Sequence, residues 1–349
     1  MRRLPIYFLI DVSESMVGKP IEYVQNGMRS IITELRTDPY ALETAYISVI
    51  AFAGKAKLLS PLTEVTLFYP PKLAVGSGTS LGVALNYLMD EIDRSVKKTT
   101  IEEKGDWKPI VFLFTDGNPT DDYESAFARW NNKYKKHANL VIVSIGENAD
   151  TQMLGRISEN VLCLTKTDEI SYKAFFKWVT DTIKTSSQSV SEGMGEDAVV
   201  EPNKSINLEK VDTSQKVIVD EHYVVLTGKC QETKKRYLAK YEKQGVYLDL
   251  GEEKYMKTDG YKLEGAYQID EEVYDQLSDN SPTNLKINSS RLRGVPTCPC
   301  CGNQLGLVMC SCGNMFCAGD SPVNTCPWCG ETVTIGVGEG GFDIERNRG

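Results

Sequence analysis

The sequence predicts an α/β protein whose first half is a doubly wound, mostly parallel sheet, followed by a β-rich module and a cysteine-rich tail. Three observations support this prediction. Short apolar runs alternate with segments of helical periodicity from residue 1 to about 185, which is typical of a parallel sheet covered by helices. Strand-like segments without long helices follow that region. Eight of the ten cysteines then lie between residues 298 and 329.

Five segments of the first half are predicted strands, because each is a short apolar run bounded by polar or turn residues. They are residues 5–10, 46–52, 109–115, 139–146 and 161–164. Apolar residues between them recur every three or four positions, as in Ile21, Val24 and Met28, which predicts amphipathic helices. The alternation predicts a Rossmann-like arrangement with helices on both faces of the sheet.

Changes in composition divide the chain into five predicted parts. Ser, Gly and Glu dominate the stretch after residue 185, which is typical of a linker. The predicted parts are an α/β domain (1–185), a linker (186–204), a β-rich module (205–292), a cysteine-rich domain (293–335) and a flexible tail (336–349).

Charge and hydropathy exclude some classes of protein. A formal net charge of -9 disfavours nucleic acid as the main partner. No run of 18 apolar residues occurs, so no membrane span is predicted. The apolar stretch at the amino terminus stops at Asp11 without a cleavage site, which favours a first strand over a signal peptide and predicts a cytoplasmic protein.

Five oxygen-bearing side chains follow predicted strands or open a predicted helix. Asp11, Ser13 and Ser15 follow the first strand, Thr79 lies in a glycine-rich loop before a helix, and Asp116 ends a second strand. Since ligands of open parallel sheets gather at the carboxyl ends of the strands, we expect these side chains to converge. Hard oxygen ligands suit Mg²⁺ or Mn²⁺, and with only two acids an open position would attract a carboxylate from a partner.

Part of this pattern has a plainer interpretation. Asp and Ser after a strand are also common helix N-caps. Asp121 and Asp122 could extend the metal site, but acids at this position more often cap the following helix.

The five residues together resemble the metal-ion-dependent adhesion site of von Willebrand factor A domains, over residues 1–185. The resemblance implies that a bound Mg²⁺ or Mn²⁺ holds an Asp or Glu of a protein partner. It also implies that the protein is not itself an enzyme.

Two cysteine knuckles, CPCCG and CPWCG, predict a structural zinc site in a zinc-ribbon-like tail. Cys298 with Cys301 and Cys326 with Cys329 give a four-thiolate set suited to tetrahedral Zn²⁺. So short a segment buries little apolar area by itself, so metal binding is expected to supply its folding energy.

Other cysteines leave the ligand assignment open. Cys310, Cys312 and Cys317 are further candidates, either for a second Zn²⁺ or in place of one knuckle. Cys300 is expected to be a bystander between two ligands, and Cys230 in a predicted hairpin is expected to be a packing residue.

An A domain followed by a β-rich module and a cysteine-rich tail is similar to the tellurium-resistance TerY family, whose members end in a TerY-C metal-binding domain. This resemblance implies a bacterial cytoplasmic protein that works with a Ser/Thr kinase and a PP2C-type phosphatase. The systems it implies are a tellurite or stress response, or phage defence.

The leading hypothesis is therefore a non-enzymatic scaffold or adaptor. One alternative is a metal-dependent hydrolase or phosphatase, although the chain has only two histidines and GSGTSLG lacks the lysine of a phosphate loop. Another is a nucleic-acid-binding zinc module, which the overall acidity disfavours.

Overall fold

The computed structural model describes ten stretches of the chain. They are residues 2–116, 119–145, 150–164, 169–191, 208–210, 223–249, 255–279, 286–319, 321–335 and 341–347. The chain forms two compact units. The amino-terminal unit comprises residues 1–73 and 79–220, and the carboxy-terminal unit comprises residues 74–78 and 221–349.

A seven-stranded sheet forms the centre of the amino-terminal unit. Its strands are β1 (Leu4–Asp11), β2 (Ala45–Phe52), β3 (Ala56–Glu64), β4 (Ile110–Thr115), β5 (Asn139–Ile145), β6 (Asn160–Leu164) and β7 (Leu208–Lys210). The order is β3-β2-β1-β4-β5-β6-β7, and the five inner strands are mutually parallel. The five predicted strands are these parallel ones, which confirms the predicted fold class.

The two edge strands were not predicted from the sequence. Strand β3 is half-exposed along most of its length and contains Pro61, so it lacks the apolar run by which the inner strands were found. Strand β7 lies just beyond the predicted linker. Both run antiparallel to their neighbours.

Helices cover both faces of this sheet. They are α1 (Lys19–Leu35), α2 (Pro39–Thr44), α3 (Leu81–Ser95), α4 (Glu124–Arg129), α5 (Thr151–Leu154) and α6 (Glu169–Ser191). Across the described residues, none of the helices is long and apolar enough to cross a membrane.

Alternation along the strands explains why both faces are buried. On one face Tyr7 and Leu9 share a core with α3 and α4. On the other face the ring of Phe114 lies 5.7 Å from that of Phe175 in α6. Helix α1 packs so closely on α6 that a Cβ at Gly27 would overlap the ring of Phe176.

The predicted linker begins too early. Helix α6 continues through Ser191, with Ser187 and Val190 buried, so residues 186–191 belong to the amino-terminal unit. The remaining part of the predicted linker, 192–204, lies outside the described residues.

The carboxy-terminal unit is rich in β structure. Its elements are β8 (Tyr223–Lys229), β9 (Arg236–Asp249), β10 (Tyr255–Gln268), α7 (Glu271–Leu277), β11 (Lys286–Asn288), β12 (Leu292–Arg293), β13 (Leu305–Met309), β14 (Met315–Ala318), β15 (Val323–Thr325), β16 (Thr332–Thr334) and β17 (Asp343–Glu345). Six of the strands form a sheet in the order β12-β10-β9-β8-β14-β13.

This sheet crosses the predicted boundary at residue 292. Strand β14, from the cysteine-rich region, pairs in parallel with β8, so the β-rich and cysteine-rich segments share one sheet. Residues 343–345 of the predicted flexible tail form β17, which pairs with β11. The segment from β8 to β17 is therefore one structural unit.

The core of this unit mixes aromatic rings with cysteines. Tyr237, Tyr241 and Tyr261 are fully buried, and they share their core with Cys298 and Cys317. The Tyr237 hydroxyl donates a 2.6 Å hydrogen bond to the Gly306 carbonyl. Because thiol groups occupy core positions, the stability of this unit is linked to what those thiols bind.

Candidate metal centres

We call the five predicted oxygen ligands, Asp11, Ser13, Ser15, Thr79 and Asp116, the oxygen cluster. Two of its acids lie where neighbouring parallel strands end. Strand β1 ends at Asp11 and β4 ends at Thr115, and the register pairs Ile10 with Phe114 directly before them. Asp11 and Thr115 therefore lie side by side at the carboxyl ends of the parallel strands.

Hydrogen bonds hold the Asp11 carboxylate in place at the end of β1. One carboxylate oxygen accepts a 2.9 Å hydrogen bond from the Ser13 backbone N–H, and the other accepts a 2.8 Å bond from the Thr115 hydroxyl. The side chain is completely buried. Burial and the negative charge of Asp116 together raise the pKa of Asp11 to about 7, although the hydrogen bonds from Ser13 and Thr115 act in the opposite direction. Asp116 directly follows β4, so the parallel pairing of β1 with β4 places it at the same end of the strands as Asp11.

The two serines lie next to Asp11 and face each other. The hydroxyl oxygens of Ser13 and Ser15 are 3.1 Å apart. Ser13 precedes a short 3₁₀ turn at Glu14–Met16, but its side chain makes no capping hydrogen bond. The N-cap interpretation therefore does not account for Ser13.

Thr79 is tied to the segment that follows Asp116. Its backbone N–H donates a 2.9 Å hydrogen bond to the Thr120 hydroxyl, and the Thr120 N–H donates a 2.7 Å bond to the Thr79 carbonyl. Thr79 is only 3% exposed. This pair of bonds fixes the start of α3 beside the segment after β4.

Asp121 and Asp122 act as helix caps. Asp121 accepts hydrogen bonds from the N–H groups of Gly82 and Val83, at 3.3 and 3.0 Å, so it caps α3 rather than the helix that follows it in sequence. Asp122 accepts a 3.1 Å bond from the Glu124 N–H at the start of α4. The capping expectation named the wrong helix for Asp121.

The donor set of the oxygen cluster fits a hard divalent cation. Two carboxylates near each other in a buried setting repel, and a cation between them relieves that repulsion. Hydroxyl and carboxylate oxygens without thiol or imidazole suit Mg²⁺ or Mn²⁺. The sequence predicts Asp11, Ser13, Ser15, Thr79 and Asp116 as the ligands of such an ion, and these residues could supply that donor set.

Eight cysteines form two separate groups in the carboxy-terminal unit. The first group is Cys230, Cys298, Cys301 and Cys317, and the second is Cys310, Cys312, Cys326 and Cys329. Within each group all sulfur atoms lie within 4.8 Å of one another. Cys300 lies outside both groups.

This grouping corrects the predicted pairing of the two knuckles. Cys298 and Cys301 do not join Cys326 and Cys329 in one set. The pairing of β14 with β8 brings Cys317 beside the end of β8, where Cys230 lies. The turn between β13 and β14 meets the second knuckle instead.

Sulfur spacings match tetrahedral zinc. The Sγ to Sγ distances are 3.7 Å for Cys301 and Cys317, 3.5 Å for Cys310 and Cys329, and 3.9 Å for Cys312 and Cys326. Four sulfurs at about 2.3 Å from a central Zn²⁺ are about 3.8 Å apart. Both groups therefore fit one Zn²⁺ each.

Three of the cysteine turns share a glycine with a left-handed backbone. Gly302, Gly313 and Gly330 each follow a cysteine and have φ between 81° and 84°. The N–H of Gly302 donates to the Cys298 carbonyl, and the N–H of Gly330 donates in the same way to that of Cys326, each at 2.9 Å. Glycine takes this backbone conformation without the steric strain of a Cβ.

Cys230 lies in a fourth turn of the same shape. The N–H of Lys234 donates to the Cys230 carbonyl at 3.1 Å, and the N–H of Cys230 donates to the Lys235 carbonyl at 2.8 Å. Lys234 occupies the glycine position with φ of 60°, and Thr233 stands where the second knuckle cysteine would be. The Gln231 N–H donates to the Cys317 sulfur at 3.2 Å, which links this turn to the first group.

Sequence reasoning missed this turn because it lacks both a second cysteine and a glycine. The number of cysteines nevertheless indicated that one ligand lies outside residues 298–329. Two four-thiolate sites need eight ligands, and if Cys300 is excluded only seven cysteines remain between 298 and 329. The eighth ligand had to come from elsewhere, and Cys230 supplies it.

Burial and nearby hydrogen bonds shift the pKa values of several thiols in the two cysteine groups. Burial raises the pKa of Cys230, but hydrogen bonds from Thr233 outweigh it and bring the pKa to about 7. Burial raises the pKa of Cys301 to about 11. In the second group, hydrogen bonds from Asn314 lower the pKa of Cys312 to about 7. A divalent cation overcomes the mutual repulsion of such crowded thiolates because it binds the ionised form.

The fold and these sites define a class of protein: a doubly wound α/β domain with an oxygen-lined cation site, joined to a β-rich domain with two tetrathiolate sites. Comparison with known families gives the same architecture. The von Willebrand factor type A domain matches residues 6–177, and the TerY-C metal binding domain matches residues 220–349.

The chain is therefore a member of the proteins that combine a von Willebrand factor type A domain with a TerY-C metal-binding domain, as the sequence resemblance implied. Domains of the first type generally bind other proteins.

Several solved structures are similar to about half of the chain. Proximal thread matrix protein 1 from the mussel byssus is 17% identical over 52% of this chain and 48% of its own, with a TM-score of 0.40. A von Willebrand factor type A protein from Catenulispora acidiphila is 17% identical over 53% and 43%, with a TM-score of 0.40. The pilus adhesin SpaC from Lactobacillus rhamnosus GG is 12% identical over 53% and 30%, with a TM-score of 0.43. The match spans less than half of each of these chains, and it transfers no ligand, partner or activity to this protein.

Proposed function

We propose that this protein is a non-enzymatic adaptor that binds protein partners through a divalent cation held at the carboxyl ends of β1 and β4. One observation carries the proposal. The carboxylate of Asp11 is buried beside Asp116 and next to the paired hydroxyls of Ser13 and Ser15. This arrangement supports the proposal of a preformed set of oxygen ligands for Mg²⁺ or Mn²⁺.

The residues around the cluster prepare it for binding. Hydrogen bonds from the Ser13 N–H and the Thr115 hydroxyl fix both oxygens of Asp11, so the carboxylate needs no reorganisation. Mg²⁺ bound there would offer a positive centre to an Asp or Glu carboxylate of a partner. With only two acids in the set, a third carboxylate from outside is favoured electrostatically.

The position of the described histidine supports binding rather than catalysis. Within the part of the chain that the structure describes, the only histidine is His137, which precedes β5 and so lies at the opposite end of the sheet. The proposed site therefore has no imidazole base in reach among those residues.

The carboxy-terminal unit has a structural part in this proposal. Four thiolates fill the coordination shell of a tetrahedral Zn²⁺ and leave no position for substrate. Zn²⁺ bound there would cross-link the cysteine turns. We assign to this unit the docking of a second protein or the support of the assembly.

We further propose that the partners are a Ser/Thr kinase and a PP2C-type phosphatase, in a cytoplasmic system for tellurite and stress response or phage defence. The support for these finer assignments is the combination of the two domains in one chain. Partner identification by experiment decides them.

The test is capture of partners by the tagged full chain from its own cells, in Mg²⁺, followed by mass spectrometry. We expect Asp11→Asn to lose the partners that the unchanged protein retains, since the amide removes the charged ligand. Asp90→Asn is the matched control, because its carboxylate is exposed and belongs to a surface ion pair with Arg129.

Zinc content is measured in the same samples. Retention of all partners by Asp11→Asn, with zinc unchanged, would show that the cation site is not the binding surface. Retained kinase and phosphatase would identify the partners, and other proteins in their place would overturn that finer assignment.

A further inference from the structure

A depression lies at the opposite end of the amino-terminal sheet from the oxygen cluster. It is bordered by Arg2 before β1, the end of α3, the loop before β4 and the turn that follows α4. Its volume is about 460 Å³. This size is within the range of small-molecule sites, about 300 to 1,000 Å³. Since β1 has eight residues, about 3.3 Å apart along the strand, the two sites are separated by roughly 20 Å.

Six of the fifteen residues that line this depression are basic. They are Arg2, Lys97, Lys98, Lys108, Lys133 and Lys136. The lining includes two acidic residues, Asp93 and Asp106. This positive excess belongs to a chain whose formal net charge is -9, so it is a local feature and not a reflection of composition.

The two acids are already engaged by cations. Asp93 lies 2.6 Å from the ammonium of Lys133 and 3.8 Å from that of Lys98. Asp106 forms a 2.5 Å ion pair with Arg3, which lies outside the lining. The acids therefore offset only part of the positive charge around the depression.

An apolar wall accompanies the charge. Ile92, Val96, Trp107 and Pro109 line the same space. The guanidinium of Arg2 stacks on the Trp107 ring, 3.5 Å from its centroid. Arg2 therefore covers one face of the Trp107 ring, and Ile92, Val96 and Pro109 extend the apolar wall beside this positive charge.

Compensation of helix dipoles explains only part of this arrangement. Lysines near the carboxyl ends of helices are favourable without any ligand. This accounts for Lys97 after α3 and for Lys136 after the π-helical turn Trp130–Tyr134 that continues α4. Arg2 and Lys108 instead lie before β1 and β4, where no helix ends. Cations from both kinds of element converge on one depression.

We propose that this depression binds a phosphate-bearing small molecule of the nucleotide class. Its phosphates contact the cationic rim, and its ring lies against the wall that contains Trp107. Lysine and arginine are the usual partners of phosphate, and an aromatic wall suits a base. The site goes beyond the adaptor role and does not depend on the oxygen cluster, because it lies at the other end of the strands.

The first experiment is isothermal titration calorimetry of the full chain with ADP, adenosine and pyrophosphate, without added Mg²⁺. We expect ADP to bind at least about tenfold more tightly than either fragment, because only ADP contacts both the wall and the rim. Absence of ADP binding would overturn the proposal. Pyrophosphate binding as tight as ADP binding would also overturn it, since the base would then make no contact.

The second experiment uses charge removal at two exposed positions. Lys97→Gln combined with Lys136→Gln is expected to weaken ADP binding about tenfold. Neither ammonium group takes part in the ion pairs described above, so the fold should be kept, and circular dichroism checks this. Lys55→Gln combined with Lys177→Gln is the matched control, because both lysines are exposed in the same unit but do not line the depression. Equal weakening in both pairs would show a general charge effect and refute the site.

Discussion

The oxygen cluster of the amino-terminal unit and the two cysteine groups of the carboxy-terminal unit are built in opposite ways. Asp11 is the last residue of a buried strand, and its carboxylate is oriented by Ser13 and Thr115. The cysteines lie mostly in turns at the ends of short strands, and several are themselves part of the core.

The two kinds of site differ in whether the fold positions the metal ligands or the metal stabilises the fold. A large sheet covered by helices positions the oxygen ligands, so a cation there adds binding function to a domain that is already folded. In the carboxy-terminal unit, the thiols must be held together against their mutual repulsion, so the metal contributes to the fold itself. Five predictions test this contrast.

Zinc removal is expected to have the largest effect. Structural Zn²⁺ contributes on the order of 10 kcal/mol to small domains, so chelation should unfold the carboxy-terminal unit and leave the amino-terminal sheet intact. Hydrogen exchange measured by mass spectrometry would show loss of protection in β8 and β14 but not in β1 and β4. Equal protection in both units after complete zinc loss would contradict the contrast.

Replacement of Cys230 sharpens the assignment of the first cysteine group. We expect Cys230→Ser to reduce the zinc content from two ions per chain to one and to destabilise this unit by several kcal/mol, because one tetrahedral shell is left incomplete. Metal analysis and thermal unfolding measure the two effects. Cys300→Ser is the control and should retain both ions, and a loss of zinc in that variant would show that the grouping is wrong.

Asp11→Asn tests whether the oxygen cluster adds function without supporting the fold. The variant should lose Mg²⁺ binding by at least about a hundredfold, since a charged ligand becomes neutral. Without added metal its stability should be equal to or higher than that of the unchanged protein, because the repulsion between Asp11 and Asp116 is removed. Calorimetric titration and thermal unfolding check both results, and a large loss of stability would show that Asp11 is chiefly structural.

Asp121→Ala measures the contribution of a cap near the oxygen cluster. Loss of its hydrogen bonds to the N–H groups of Gly82 and Val83 should lower the free energy of unfolding by about 1 kcal/mol. Chemical denaturation measures this change. Asp90→Asn should shift stability by a few tenths of a kcal/mol at most, because it affects only a surface ion pair. A shift for Asp121→Ala no larger than that would rule out a capping role.

Lys234→Gly should give the smallest effect, and it should be stabilising. Lys234 has a left-handed backbone with φ of 60°, which glycine adopts without strain, so a gain of about 0.5 to 1 kcal/mol is expected. Thermal unfolding of the zinc-loaded protein measures the change, with Lys235→Gly as the control. Destabilisation of both variants by similar amounts would refute the comparison of this turn with the other cysteine turns.

The sequence predicts the amino-terminal fold well because the signal is local. Inner strands such as β1 and β4 are buried on both faces and therefore read as continuous apolar runs. The edge strand β3 is half-exposed and mixes polar residues with Pro61, so its pattern carries no such signal. The sequence predicts five oxygen-bearing side chains as cation ligands because each lies just after a strand or in the loop that opens a helix.

The grouping of cysteines in the carboxy-terminal unit depends on contacts between distant segments, which local sequence patterns do not encode. Neighbouring cysteines such as Cys298 and Cys301 are evident from spacing, but their partners are set by the parallel pairing of β14 with β8. The sequence around Cys230 does not have the pattern of a metal-binding knuckle, because Thr233 and Lys234 stand in place of the second cysteine and the glycine of such a turn. For the same reason, the boundary placed at residue 292 divided strands that belong to one sheet.

The bond from the Gln231 N–H to the Cys317 sulfur spans 86 residues, and it sets an order of events during synthesis. The amino-terminal sheet can close its parallel strands as soon as β6 leaves the ribosome. The first cysteine group has to wait for β14, and the pairing of β11 with β17 waits for the residues around Ile344. During that interval the thiols of Cys230, Cys298 and Cys301 belong to a nascent chain without their fourth partner. A four-thiolate shell for Zn²⁺ in this group can therefore be completed only after Cys317 has been synthesised.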